Sequence, residues 1–257
     1  MFRLMAIWLI FTVFIILNTF GIGPVQESMA VLYIGWAAML VGIIFLFVQR
    51  RYMQNKYKKM MNEQQNTILD LERGEYFYQA PLVTVDDQPI KVHGKEDMHY
   101  KLSFNNSLQK WMSIGDVLSL NGMKLTSNDH EVEILPSKMF TIRHKFKVFL
   151  DGNYIGRYEL KKLFKDKGIK EYLPLFFETE NKNYDFTNKY AELTSSIQDS
   201  EEDTVLTANR SFFDLSSDKR TSRRGEKHDI HIKDEKEFPE EVWLGLYIQA
   251  MNVKNEK

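Results

Sequence analysis

Two long apolar stretches open the chain, and no other feature restricts its folding as severely. Residues 6–20 and 30–48 contain no Asp, Glu, Lys or Arg. At 1.5 Å rise per residue, each approaches the roughly 20 residues that a membrane-crossing helix requires. They are expected to cross the bilayer as a hairpin. The connection at 21–29 carries Glu27 and no Lys or Arg, whereas Arg50, Arg51, Lys56, Lys58 and Lys59 crowd the exit of the second stretch. Basic residues resist translocation, so that exit is expected on the cytoplasmic side, with Arg3 and the amino terminus also inside. The reading is a multi-pass protein of the cell membrane whose remaining chain is a tethered cytoplasmic domain.

A cleaved signal peptide also begins with a basic residue and an apolar run, but it needs a small-residue cleavage site soon after. Here the run leads into Asn18-Thr19-Phe20-Gly21-Ile22-Gly23-Pro24, and a second apolar stretch follows. Tyr33 and Trp36 at one end of that stretch and Phe47 and Tyr52 at the other fit the interfacial belts of a membrane span. Gly35 and Gly42 are read as packing positions. Neither stretch holds an ionisable residue in its middle, which removes the usual mark of a transport or proton pathway.

With 257 residues, of which about 50 are assigned to the membrane, roughly 200 remain, enough for one domain with a real core. The formal charge of -1 gives no global argument for nucleic acid, and none is expected as a partner. The chain has no cysteine, which excludes disulfides, thiolate metal sites and cysteine nucleophiles together.

The expected organisation is a transmembrane hairpin over 1–48, a juxtamembrane stalk over 49–75 and a mainly-β domain over 76–257. Residues 49–72 contain no Gly or Pro and are rich in Met, Gln, Lys and Glu, a helical composition that stops at Gly74. Beyond Glu75 come short alternating runs. The clearest is 139–150, where Phe140, Ile142, His144, Phe146, Val148 and Leu150 share one face and Thr141, Arg143, Lys145 and Lys147 the other. Asp151-Gly152-Asn153 then supplies a hairpin turn into 154–160. Further strands are expected at 76–79, 82–85, 90–93, 98–104, 117–120, 131–135, 173–178, 191–197, 204–209 and 228–232, which points to a barrel or sandwich. At the end, Pro239-Glu240-Glu241 starts a helix, expected over about 240–253. From Val242 to Met251 it is apolar on nearly every side, so it must be buried, and at about ten residues that run is too short to span a bilayer.

The runs Met139-Phe-Thr-Ile-Arg-His-Lys-Phe-Lys-Val-Phe-Leu-Asp-Gly, Ala208-Asn-Arg-Ser-Phe-Phe-Asp-Leu and Arg224-Gly-Glu-Lys-His-Asp-Ile-His-Ile, with the closing apolar helix, resemble the tubby C-terminal-like fold. The likeness is nearest to its LURP-one-related branch and bacterial relatives. It implies a closed β-barrel of about a dozen strands around a central carboxyl-terminal helix. Tubby proteins bind phosphoinositide headgroups and the related scramblases act at bilayers, so the resemblance also implies a function at lipid. The membrane hairpin departs from the usual form of the fold, and a fold by itself hosts many functions.

Two basic groupings are the candidate lipid-phosphate contacts. Arg143, Lys145 and Lys147 project from one side of a strand, and Lys219, Arg220, Arg223, Arg224 and Lys227 crowd a loop beside Gly225. Converging Lys and Arg give charge-assisted hydrogen bonds to phosphate oxygens. The competing reading is that the outer face of a barrel must be polar and Lys commonly makes it so. Among the six histidines, His228 and His231 are three apart and fall on opposite faces of a strand, which is no chelating pair, and His144 reads as a core residue. Asp199, Glu201, Glu202 and Asp203 read as a solvated turn without the spacing of a calcium loop. No Gly-rich phosphate loop, Gly-x-Ser-x-Gly or His-Glu-x-x-His occurs. The expectation is a non-enzymatic protein without cofactor or metal that binds anionic lipid headgroups at the inner leaflet. The alternative is a scaffold or accessory subunit that binds a protein partner in a membrane or secretion complex. A scramblase-like lipid handler is a third reading, disfavoured by the absence of polar residues within the spans.

Overall fold

Alternation at period two is realised in strands that wrap around the apolar carboxyl-terminal helix. The computed structural model describes residues 2–22, 29–64, 71–80, 89–96, 98–107, 109–110, 121–137, 144–161, 174–188, 193–211, 226–233 and 237–255. Its strands are β1 (Glu75–Gln79), β2 (Ile90–Val92), β3 (Met98–Ser103), β4 (Gly122–Thr126), β5 (Glu131–Pro136), β6 (Lys145–Leu150), β7 (Asn153–Leu160), β8 (Leu175–Glu178), β9 (Asn183–Thr187), β10 (Thr194–Asp199), β11 (Thr204–Ser211) and β12 (Lys227–Ile232). From β2 to β12 each strand pairs antiparallel with the next, and β12 pairs with β1. The two edges of this sheet then meet at one antiparallel bridge, Phe77 with His93, where both N–H···O distances are 2.8 Å. The result is a nearly closed up-and-down barrel of 12 strands, whose curvature leaves little free edge.

A barrel of eight strands can be filled by its own side chains, whereas twelve enclose a wider lumen. The helix α3 (Glu240–Asn255) occupies it. Trp243 is 2% exposed and Leu246 0%, and Val242, Leu244, Tyr247, Ile248, Ala250, Met251 and Val253 are buried with them, as an all-round apolar helix requires. Gly245 lets the helix approach β5 closely, since a Cβ there would stand 3.2 Å from Val132 Cγ1. Inward residues of the wall, among them Tyr100, Leu125, Ile134, Phe146, Val148, Phe177 and Leu206, complete one continuous core.

The β6–β7 hairpin turns as its sequence predicts. Asp151 has φ 51° and Gly152 φ 81°, the pair of positive values that a two-residue turn of the I′ type demands. Strands β4 and β9 were not anticipated. Gly122 and Lys124 in one, and Asn183 and Asp185 in the other, lower strand propensity, yet Met123, Leu125, Tyr184 and Phe186 keep the inward alternation and ladder pairing overrides composition. The expected strands at 82–85 and 117–120 and the opening part of 139–150 lie outside the described residues.

Two further helices precede the barrel, α1 (Phe2–Thr19) and α2 (Met29–Gln64). Among the described residues one helical segment, Met29–Lys56 of α2, is long and apolar enough to cross a membrane, its most apolar 18-residue window having a mean hydropathy of 2.5, and the apolar run Met5–Thr19 is shorter. The two helices pack antiparallel. Trp8 stacks on Trp36 with ring centres 5.5 Å apart, the Trp36 indole donates to Thr12 Oγ1 at 2.8 Å, and the Thr19 and Tyr33 hydroxyls lie 3.0 Å apart. Gly35 faces Phe11, while Gly42 faces no neighbour. The stalk helix expected to Glu72 continues unbroken to Gln64. By Leu71 the chain has left the helical conformation, and Gly74, at φ 82°, turns it into β1.

Candidate functional site

An up-and-down barrel sends alternate connections to opposite ends, and here the two ends differ in kind. At one end β2–β3, β4–β5, β6–β7, β8–β9 and β10–β11 are joined by tight turns, β12 passes into α3, and the chain arrives at β1 through Gly74. At the other, β1–β2, β3–β4, β5–β6, β7–β8, β9–β10 and β11–β12 are joined by the longer segments 80–89, 104–121, 137–144, 161–174, 188–193 and 212–226. These longer segments hold 13 Lys and Arg against 9 Asp and Glu. The turn end, comprising 71–74, 93–97, 127–130, 151–152, 179–182, 200–203 and 233–239, holds 5 against 12. By sequence, then, the long connections carry net positive charge and the short ones net negative charge.

The basic residues singled out by sequence distribute accordingly. Arg143, Lys219, Arg220, Arg223 and Arg224 lie outside the described residues. Ser211 and Glu226, which flank the second group, stand at the loop end, as does Lys227 at the start of β12. Lys145 also stands at the loop end, but β6 and β12 are six strands apart in a barrel of 12, on opposite sides of the wall. Among the described members, Lys145 and Lys147 stand apart from Lys227. Lys145 is paired with Glu159 at 2.8 Å, and Lys147 lies opposite Arg157, which is itself paired with Glu178 at 2.6 Å. Lys145 and Lys147 thus stand on an outer barrel face beside exposed ion pairs, each contributing little.

Inside the loop end lies a polar cluster that sequence reasoning missed. Arg210 of β11 and His228 of β12 are cross-strand partners, and His228 is in turn the partner of Tyr78 on β1. The buried Arg210 guanidinium reaches the Glu226 carboxylate at 3.3 Å and donates to Asn188 Oδ1 at 3.2 Å. His228 is fully buried, stacks on Tyr78 with ring centres 4.4 Å apart, and shares a hydrogen bond of 2.8 Å between its Nδ1 and the Tyr247 hydroxyl of α3. Burial drives the His228 imidazole from 6.5 down to about 3, with Arg210 adding to the effect, so it is neutral. Burial pushes the Glu226 carboxyl up, against the opposing pull of Arg210, and raises the Tyr78 and Tyr247 hydroxyls. The sequence did carry one signal for this cluster: Arg210 occupies the inward register of Leu206 and Ala208. A charged side chain in an apolar register needs a buried partner.

His228 and His231 do fall on opposite faces, one buried and the other exposed. Asp199, Glu201 and Asp203 gather their carboxylates within 4.8 Å of one another in the β10–β11 turn. Asp199 Oδ1 accepts the backbone N–H groups of Glu201 and Asp203 at 2.9 and 3.0 Å, so the cluster closes its own turn. Compared with family models, with curated proteins and with solved structures, the chain matches none.

Proposed function

We propose that the protein is a membrane-anchored, non-enzymatic cytoplasmic domain of tubby-like architecture that meets anionic lipid headgroups of the inner leaflet with the loop end of its barrel. The observation that carries this reading is the composition of the connecting segments, net basic in the long connections and net acidic in the short ones. A negative leaflet attracts the basic end and repels the acidic one, each basic residue near the surface contributing about 1 kcal/mol. The nearly closed barrel around a buried carboxyl-terminal helix supports the architectural part of the reading. The antiparallel packing of α1 on α2 supports two spans, with the amino terminus and the barrel both cytoplasmic.

Lengths are compatible with this orientation. Beyond Val48, residues 49–64 of α2 add about 24 Å of helix. Strands of six to eight residues stand about 20–26 Å tall. The chain joins the barrel at its turn end, so a barrel folded back along this stalk brings its loop end to the depth of the headgroups. Lys219, Arg220, Arg223, Arg224 and Lys227 are the residues assigned to phosphate contact there.

The chain has no cysteine, so one introduced thiol can report on each end. Ser222→Cys marks the loop end and Asn128→Cys the turn end, each labelled with a fluorophore in the full chain reconstituted in nanodiscs with quencher-bearing lipid. Quenching of the first label alone, in anionic but not neutral discs, and its relief by Arg223→Ala with Arg224→Ala, is the expected result. Equal quenching in neutral discs, or quenching at Asn128→Cys instead, overturns the proposal.

A further inference from the structure

The turn end carries a cleft of about 410 Å³, within the roughly 300–1,000 Å³ of clefts that hold small molecules. The start of β7, at Tyr154 and Ile155, forms one wall. The turn residues Thr179, Glu180 and Asn181 form a second, and Glu237 and Phe238, just before α3, a third. Each wall is braced from behind. Phe238 packs edge-on against Phe177 and Trp243, with ring centres 6.0 and 5.9 Å away, and Tyr154 packs likewise against Phe149 at 5.8 Å. The Thr179 hydroxyl donates to the Lys182 carbonyl at 3.0 Å and accepts the Lys182 N–H at 2.9 Å, which closes the turn. The buried Tyr184 donates its hydroxyl to the Glu237 carboxylate and orients it. A ligand entering such a cleft does not have to order its walls first.

We infer that this cleft binds a small organic cation, an ammonium joined to a short apolar body. Charge sets the sign. Four of the lining residues are charged, and two of them, Arg157 and Glu178, are bonded to each other at 2.6 Å and cancel. Glu180 and Glu237 are left, and among the described residues neither has a basic partner. A cation is therefore the ion that the cleft attracts, and the low dielectric of its walls strengthens that attraction. The apolar lining selects the rest of the ligand. Tyr154, 52% exposed, and the half-buried Phe238 and Ile155 offer surface to an apolar body, and an ammonium is drawn to the face of a ring as well as to a carboxylate. A bare metal ion fits less well. Among the described residues, Asp199, Glu201 and Asp203 bring three carboxylates within reach of one ion, whereas Glu178, Glu180 and Glu237 do not. The site lies at the opposite end of the barrel from the proposed lipid contact, and it stands or falls independently of that reading.

The test uses the full chain in nanodiscs of neutral lipid, with 4-fluorophenethylammonium as the probe and fluorine NMR as the readout. Saturable binding is expected, weakened at least tenfold by Glu180→Gln with Glu237→Gln and at least threefold by Tyr154→Ala. Glutamine keeps an acceptor for the Tyr184 hydroxyl, and Glu180 and Tyr154 are exposed, so these changes leave the barrel core alone. The neutral analogue 2-(4-fluorophenyl)ethanol should bind at least tenfold more weakly. Glu96→Gln with Asp129→Asn removes the same charge from other turns at this end and should leave binding unchanged. Equal binding of the alcohol, an equal loss in that control pair, unchanged binding in Glu180→Gln with Glu237→Gln, or no binding of the probe at 5 mM overturns the inference. Loss of anionic-lipid contact in the quenching experiment leaves these outcomes unchanged.

Discussion

The turn end and the loop end of the barrel are built from the same strands, yet they are closed in opposite ways. At the turn end the connections are short and the lumen is sealed by aromatic packing. Trp243 meets Tyr184 at 4.7 Å between ring centres, with Phe177 and Phe238 beside it. At the loop end the connections are long and the inward residues are Arg210, Glu226, His228 and Tyr247. The polar end is held by directed contacts that cost stability whenever one partner is lost. Chemistry that can change with ligand, pH or membrane charge is thereby concentrated at the end carrying the long connections, while the other end supplies rigidity.

The largest expected effect breaks the apolar seal. Trp243→Ala empties the turn-end lumen at a fully enclosed site and is expected to lower unfolding free energy by about 4 kcal/mol. Urea unfolding of the full chain in mild detergent measures it. At the loop end, Arg210→Met leaves the Glu226 carboxylate buried without its cation and is expected to cost about 3 kcal/mol. Adding Glu226→Gln should recover part of that loss, because a buried pair removed together is far less damaging than a pair broken. No such recovery would mean that Arg210 acts through Asn188 rather than Glu226.

The third effect separates the ends by pH. The His228 imidazole titrates near 6.5 when unfolded and at about 3 when folded. Its depressed value means that the unfolded state takes up a proton first, so stability is full above about pH 6.5 and falls as pH drops towards 3. Between pH 7 and pH 5 the expected loss is about 2 kcal/mol, from 1.36 kcal/mol per unit. The same titration in His228→Gln should lack that component. An unchanged slope would place the acid sensitivity outside the loop-end cluster.

Much of this contrast was legible in the residues, for identifiable reasons. The alternation around Phe146 and Val148, the Asp151-Gly152 turn and the all-round apolar helix are local patterns, and local patterns survive folding. The Arg210–Glu226 pair depends on strands whose order in space the sequence does not state, so its members looked unrelated. The neighbours of Lys145 and Lys147, Glu159 and the Arg157–Glu178 pair, arrive from other strands and are equally invisible in the sequence. The polarity of the two ends was hidden for the same reason. Only when odd and even connections are sorted to opposite ends does the excess of acid over base in the short connections emerge.

The smallest expected effect tests how a turn at the acidic end holds its shape. Gly152 sits at φ 81° with open space where a Cβ would go, so Gly152→Ala meets no clash and loses only backbone freedom in the left-handed region. That is expected to cost about 1 kcal/mol. Asp151 occupies the same region at φ 51° without being glycine, because its carboxylate accepts the Glu131 N–H and contacts the His130 ring, each at 2.8 Å. Those contacts, the backbone hydrogen bond foremost, also hold its carboxyl below the usual range. Asp151→Asn should therefore keep most of the turn's stability and Asp151→Ala should not. The comparison can be read from hairpin amide exchange at Glu131 and Asn153 in the full chain. If Asn and Ala behave alike, the turn is fixed by the strands it joins rather than by the side chain that caps it.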